Sequence, residues 1–483
     1  MDKHTLTGQR SSRGERTLWT TVTAIAIGLV LIVAVAPTLF AQSSSETDRA
    51  LEVFENVFRF VRENHVDEVD TDVLLQGALR GLFESLDDPY SAYLDAQAMR
   101  GLTDTTTGRF GGVGMYISKQ QTDPNDKRSG YVEIVAPIED TPAYHAGIRA
   151  GDLIVALRDE GADEFLSTPG LSIDEVVDRL RGAPGSRVTI QIRRGERAEF
   201  PVTLERAIIQ VPTTRHAMID DQIAFLRIIQ FTPRTVAAVT AAVNEFEAAG
   251  YQKMIIDLRT NPGGLLDAVI GVADLFFDGG TVVGTAGRVP QESRRYDARP
   301  GTTIDGDIQV VVLINEGSAS AAEILAGALQ DRGRAYLIGE TTFGKGSVQQ
   351  VRRIANGGFR LTMSRYYLPS GRFIHEVGVS PDLPLQTPQL TDEQSESYAA
   401  LLNSERIRSW VARTPDPSPA DIDQLIQDIR LDGYDVPDRW IRVRVRDEIN
   451  RANNVQPVFD PDFDEVLGEA IRLLRSGPLP IGG

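Results

Sequence analysis

The sequence predicts a multidomain α/β protein with helical segments at both ends, and three patterns carry that prediction. Over residues 207–385 apolar strands alternate with helices, over 109–206 short strands surround one helix, and over 46–108 and 386–483 apolar residues recur at helical spacing. Alternation of the first kind builds a layered α/β domain on a largely parallel sheet, with ligands expected where strands end and helices begin. A chain of 483 residues, 41% of them hydrophobic, can bury about three separate cores.

Composition narrows the chemistry. The chain has no cysteine, which excludes disulfide scaffolds, thiolate metal sites and cysteine nucleophiles, and its five histidines are scattered. Catalysis must come from hydroxyls, carboxylates, amines or imidazoles. The formal net charge of −18 argues against nucleic acid, whose non-specific binding depends on lysine and arginine displacing counterions. Peptides are the better partners.

Lys3, Arg10, Arg13 and Arg16 precede residues 17–41, which carry no charge. A run of that length crosses a bilayer, which needs about 20 apolar residues, and its basic flank stays cytoplasmic. Residues 1–16 are therefore expected in the cytoplasm, 17–41 as a transmembrane signal-anchor, and the remainder on the exported, periplasmic side of the inner membrane. A cleaved signal peptide is the alternative: Ala41, Gln42 and the serines after them suit a processing site, although Leu39 stands where a small residue is expected.

Between 46 and 108, Val53, Phe54, Val57, Phe58 and Val61, then Leu74, Leu75, Ala78, Leu79 and Leu82, are spaced as helices. The pattern changes at 109–206 to strands at 131–136, 152–157, 188–193 and 200–204 with a helix at 172–181. This stretch opens with Phe110-Gly111-Gly112-Val113-Gly114-Met115, which reads either as a plain turn or as a carboxylate-binding loop. In the second reading the N–H groups of Gly112, Val113, Gly114 and Met115 converge on an anion, and the strand beyond offers an edge to a peptide. The run Thr141-Pro142-Ala143-Tyr144-His145-Ala146-Gly147-Ile148-Arg149-Ala150-Gly151-Asp152-Leu153-Ile154 resembles the signature of PDZ domains, with His145 in a surface or structural role. A substrate would then be held by its C-terminus.

In 207–385, a strand at 223–229 leads through Thr232-Pro233, a capping hydroxyl and a first-turn proline, into a helix that Gly250 stops. A strand at 254–258, Arg259-Thr260-Asn261-Pro262-Gly263-Gly264 and an apolar helix at 265–277 follow, then a strand at 308–314, a helix at 319–330 and a strand at 335–338. The residues after 385 read mainly as helix without a catalytic signal, as a packing or partner-binding extension.

Two junctions carry chemistry. In Asn315-Glu316-Gly317-Ser318-Ala319-Ser320-Ala321-Ala322-Glu323, small residues crowd a helix start, whose unpaired N–H groups and positive field suit an oxyanion, with Ser320 as a nucleophile. Ser320 and Glu323 also have the spacing of a capping box, which needs no chemistry. In Gly339-Glu340-Thr341-Thr342-Phe343-Gly344-Lys345-Gly346-Ser347-Val348-Gln349, the Gly-x-x-x-x-Gly-Lys spacing invites a P-loop nucleotide-hydrolase reading. Gly346 stands where a hydroxyl should bind magnesium, and the chain beyond alternates towards a strand instead of opening a helix. Lys345 is a solvated turn residue or, if buried, a base of lowered pKa that activates a serine without histidine.

Together with Leu86-Asp87-Asp88-Pro89-Tyr90-Ser91-Ala92-Tyr93-Leu94, these motifs resemble the carboxyl-terminal processing (tail-specific) proteases over about residues 50 to 385. The resemblance implies a crotonase/ClpP-like layered α/β protease core at 207–385, an inserted PDZ domain at 109–206, and helical segments at 46–108 and 386–483. It implies a serine endopeptidase with a Ser-Lys dyad: Ser320 as nucleophile, Lys345 as base, Gln349 orienting the lysine, and an oxyanion hole from the N–H of Ala321 and of Gly263 or Gly264. Ser318 is the competing serine, and the family's third serine is Ala322 here. No metal, ATP or other cofactor is implied. Expected partners are proteins or peptides with accessible C-termini and, through the helical ends, a second copy or an activating partner. A catalytically silent membrane-tethered PDZ adaptor and acyl transfer on thioesters are the other readings. No histidine sits in a triad motif or Gly-x-Ser-x-Gly elbow, and His375 is expected on a loop near the cleft.

Overall fold

The computed structural model describes residues 46–119, 130–138, 140–149, 151–195, 198–354, 357–386, 388–453, 455 and 457–480. The cytoplasmic and membrane segments expected at 1–41 lie outside the described residues. Among those described, no helix is long and apolar enough to cross a membrane.

The chain divides into two compact units after Tyr93. The first contains a helix over residues 46–64 and the Thr71–Glu84 helix, which starts where the Asp70 carboxylate accepts the Asp72 N–H. Leu51, Phe54, Val57 and Phe60 recur every third residue and are exposed.

The second unit holds both functional modules. Residues 109–206 enter through the Arg109–Gly112 strand and leave through Ala207–Gln210, which pair antiparallel. Between them an antiparallel sheet runs from Met115–Lys119 at one end through Val132–Pro137, Leu153–Asp159 and Arg187–Arg194 to Ala198–Glu205. Period-two burial explains it: Val188, Ile190 and Ile192 point inward with Val132, Ile134, Ile154 and Leu157. The Ile173–Leu180 helix closes one side, its start fixed by reciprocal bonds between Ser172 and Glu175.

The larger α/β layer is a six-stranded sheet in the order Thr214–Met218, Ile223–Ile228, Lys253–Asp257, Gln309–Ile314, Tyr336–Gly339 and Leu383–Pro384. Its first pair is antiparallel and the rest are parallel. Strand residues alternate between two cores. Met254, Ile256, Val310 and Val312 meet the Thr235–Ala249, Leu266–Ala273 and Ala321–Asp331 helices, while Ile255, Val311 and Leu313 face the Glu465–Ser476 helix. The C-terminal extension therefore supplies one layer of the core. Its other helices, Asp392–Asn403, Arg406–Arg413, Pro419–Leu431 and Asp438–Ala452, share a cluster of their own, and Arg451 reaches the 109–206 sheet to pair with Glu133. A second sheet, Gly280–Gly287, Arg294–Ala298, Ser347–Ile354 and Gly357–Tyr367, is antiparallel.

Local differences from the sequence reading have simple causes. The helix expected to open at Thr232 begins at Thr235, because residues 232–234 form a turn in which Thr232 O accepts the Thr235 N–H. The apolar helix after Gly264 ends at Ala273, and Leu275 O instead accepts the N–H groups of Thr303 and Ile304.

Leu467 is fully buried beneath the sheet, so Leu467→Ala should cost about 2–5 kcal/mol through lost burial and a residual cavity, read as a lower urea midpoint at unchanged slope.

Candidate active site

Ser320 caps the Ala321–Asp331 helix immediately after the Gln309–Ile314 strand and its short loop. Its φ is 56°, a sparsely populated value that costs a residue with a side chain about 1–3 kcal/mol and persists only where the surroundings over-determine it. They do so here. The Ser320 N–H donates to Glu323 Oε2 at 2.7 Å, and the preceding Ala319 N–H donates to Asn261 O at 2.9 Å.

Glu323 is fully buried, and the Lys345 loop converges on the same carboxylate. Oε1 accepts Thr342 Oγ1 at 2.5 Å and the Gly344 N–H at 2.7 Å, while Oε2 accepts the Lys345 N–H at 2.8 Å. The Ser320–Glu323 helix cap and the Lys345 loop are thus parts of one construction. The glycines beside the lysine are there for packing: a Cβ on Gly346 would stand 2.4 Å from the His375 backbone nitrogen. Beyond Ser347 the chain is a strand, so the helix required by a P-loop is absent at this junction.

Lys345 is half-buried, and its pKa is lowered from 10.5, first by desolvation and then by the Arg360 guanidinium, with Glu323 opposing. The Ser320 hydroxyl shares a hydrogen bond with Tyr366, a tyrosine pushed up to about 12 mainly by burial and further by Tyr296. Ser320 retains 9% of its surface, whereas Ser318 has none. The Ser318 hydroxyl donates to Leu258 O at 2.8 Å and accepts the Asn315 N–H at 3.0 Å, which ties it into the loop framework.

The Gly263–Gly264 loop lies against the Ser320 turn, since a Cβ on Gly263 would be 2.8 Å from Ser320 Cβ and 2.9 Å from the Ala321 nitrogen. The two glycines differ in what their N–H groups do. That of Gly263 donates to Asn261 Oδ1 at 2.8 Å, while among the described residues the N–H groups of Gly264 and Ala321 make no hydrogen bond. Gln349 begins beyond a bulge in the Ser347–Ile354 strand, and its amide donates to Ser347 Oγ at 2.8 Å.

The glycine loop Gly112-Val113-Gly114-Met115 lies elsewhere, at the end of a groove of about 250 Å³ between the Met115–Lys119 strand and the Ile173–Leu180 helix. Val113, Met115, Ile117, Val177 and Leu180 give it apolar walls, and its strand ends the sheet. His145 pairs with Asp140 on the surface of this module, and His216 pairs with Glu245. Sequence reasoning missed Asn261, Thr342 and Tyr366. The first two stood inside motifs already singled out, and nothing local marks Tyr366.

The model of peptidase family S41 matches residues 222–385, that of the activating protease CtpB N-terminal domain 35–98, and that of a PDZ domain 133–194. A carboxy-terminal-processing protease of Bartonella bacilliformis is 36% identical over 389 residues, 79% of this chain and 85% of that one. The carboxy-terminal processing protease CtpA of Bacillus subtilis is 31% identical over 373 residues, 75% of each chain. Among solved structures, the photosystem II D1 C-terminal processing protease is 29% identical, with 69% of this chain and 92% of that one covered at a TM-score of 0.42. The class so defined is a serine-type peptidase, a hydrolase carrying a PDZ domain. The chain belongs to the carboxy-terminal processing proteases of peptidase family S41.

Glu323→Gln should destabilise the protein by about 3 kcal/mol, because the amide nitrogen turns a donor towards two N–H or O–H groups that now meet a carboxylate oxygen. Urea denaturation of Glu323→Gln beside Ser320→Ala measures it, with the second variant expected near the parent.

Proposed function

We propose that the protein hydrolyses peptide bonds in chains captured by their C-termini, through an acyl-enzyme on Ser320 with Lys345 as the base. The observation that carries this reading is the Glu323 carboxylate, which binds the backbone of both residues. Neutral Lys345 takes the Ser320 proton while Oγ bonds to the scissile carbonyl carbon, and the lysine ammonium then protonates the leaving amine as the C–N bond breaks. A water, deprotonated by the same lysine, attacks the ester, and Ser320 recovers its proton. The negative oxygen of each tetrahedral intermediate is held by the Ala321 N–H at the helix start and by the Gly264 N–H. The engagement of the Gly263 N–H by Asn261 favours Gly264 for this role. Gln349, whose amide donates to Ser347 Oγ, is the residue that orients the lysine in this reading.

In the PDZ groove, the N–H groups of Gly112, Val113, Gly114 and Met115 receive the substrate's carboxylate, and its last side chain, apolar, enters the pocket at Val177 and Leu180. Residues 17–41 hold the enzyme at the membrane with its modules on the exported side. The exposed apolar stripe of residues 51–60 pairs with a second copy. Membrane fractionation and light scattering of the full chain read these two features.

The central test uses an unstructured polypeptide with an apolar C-terminus. The parent should cleave it, Ser320→Ala and Lys345→Ala should each lose about 10³-fold or more, and C-terminal amidation should slow the parent. Equal cleavage by all three proteins would sink the dyad, and cleavage by none would favour the adaptor. The pH dependence is a second check. Only the neutral amine is a base, so kcat/KM rises with pH through the Lys345 pKa. Arg360→Gln removes a charge that disfavours the ammonium, raising that pKa, so activity at neutral pH should fall several-fold and recover at alkaline pH.

A further inference from the structure

The Arg259 guanidinium, at the entrance to the Gly263–Gly264 loop, lies between two carboxylates that are far apart in sequence. Asp257 accepts the Arg259 backbone N–H at 3.0 Å and Nε at 2.9 Å on Oδ1, and Nη2 at 2.8 Å on Oδ2. Asp464, from the C-terminal extension, accepts Nη1 at 2.8 Å and Nη2 at 2.6 Å. Asp257 alone already neutralises the arginine, so the second carboxylate is not needed for charge. What it adds is direction, because a planar guanidinium gripped on two edges cannot turn.

Arg259 leads directly into Thr260, at a φ of 59°, and Asn261. Asn261 O takes the Ala319 N–H beside the nucleophile, and its Oδ1 takes the Gly263 N–H. A rotation at Arg259 therefore moves the loop that carries the Gly264 N–H. We infer that Asp464 is a positioning residue of the peptidase: it fixes Arg259 and through it the oxyanion loop, so that the last helix of the chain sets the geometry of the active site. This rests on the reading of Ser320 and the oxyanion hole given above. Burial acts against the Asp464 carboxylate, but the bonds to Arg259 outweigh it and hold its pKa below the ordinary 3.8, so the grip persists across the neutral range.

Asp464 also caps the Glu465–Ser476 helix by accepting the Leu467 N–H at 3.0 Å, and the test must separate the two roles. Serine is a good cap but offers no charge and no two-oxygen grip. In the full-length enzyme, Asp464→Ser should lower kcat at least about tenfold while leaving KM within about twofold, since the loss falls on the transition state. Asp464→Glu should regain part of that loss. Hydrogen exchange should quicken in residues 258–265 of Asp464→Ser and stay unchanged in the Gln309–Ile314 strand. A parental kcat in Asp464→Ser would overturn the inference. So would a lost kcat with unchanged exchange in the loop, or with exchange quickened equally in the strand. If the parent itself cleaves nothing, the proposed function fails while the exchange measurement still decides this one: faster loop exchange supports the link, unchanged exchange refutes it.

Discussion

The candidate active site is organised by one buried carboxylate. A Glu323 side chain with no surface is tolerable only if its oxygens are satisfied, because an unpaired buried polar group is among the costliest features a fold can hold. Four donors meet it, one from the Ser320 turn and three from the Lys345 loop. Two of them, the N–H groups of Ser320 and Lys345, lie within 2.8 Å of the same oxygen, so their nitrogens stand less than twice that distance apart. The positive φ of Ser320 follows from this demand, since the turn must present its N–H to Glu323 while the following helix begins. The price of that strain falls on a residue whose side chain still reaches the surface, while Ser318 two positions earlier is absorbed into the framework.

The same constraint removes an apparent choice. From spacing alone, Ser320 and Glu323 suit a helix cap or a catalytic turn, and the two readings look like rivals. A carboxylate that takes the cap residue's N–H still has three acceptor positions to offer, and the Lys345 loop fills them. A helix cap and a catalytic turn are therefore compatible in one structure, in which helix initiation fixes the place of the hydroxyl.

Much of the core was legible because parallel strands covered on both faces must be apolar at every position, and Met254, Ile255, Ile256 and Val310 to Leu313 are. The motifs at Ser320, Lys345 and Gly263-Gly264 were legible because each departs from its surroundings in residue size or glycine content. The second sheet was not. Gly280–Gly287 and Arg294–Ala298 are rich in glycine and arginine, and the pairing of Gly280–Gly287 with Gly357–Tyr367 is set by a partner distant in sequence. Tyr366 reaches Ser320 only through that sheet. Ion pairs such as Arg259 with Asp464 have no periodicity and leave no trace in a one-dimensional pattern.

The doubly apolar strands carry a further implication that the helix at the end of the chain resolves. Met254 and Ile256 are covered by helices within residues 222–385, the span matched by the peptidase model, but Ile255, Val311 and Leu313 face the other way. A core limited to that span would expose a contiguous apolar sheet face, which a soluble domain avoids. Val466, Leu467, Ala470, Ile471 and Leu474 recur at helical spacing and close it. The extension after residue 385 therefore contains a piece of the catalytic domain separated from it by a helical bundle. Because that bundle also holds Arg451 against Glu133 of the PDZ sheet, the chain between them ties the face opposite the Ala321–Asp331 helix to the PDZ module.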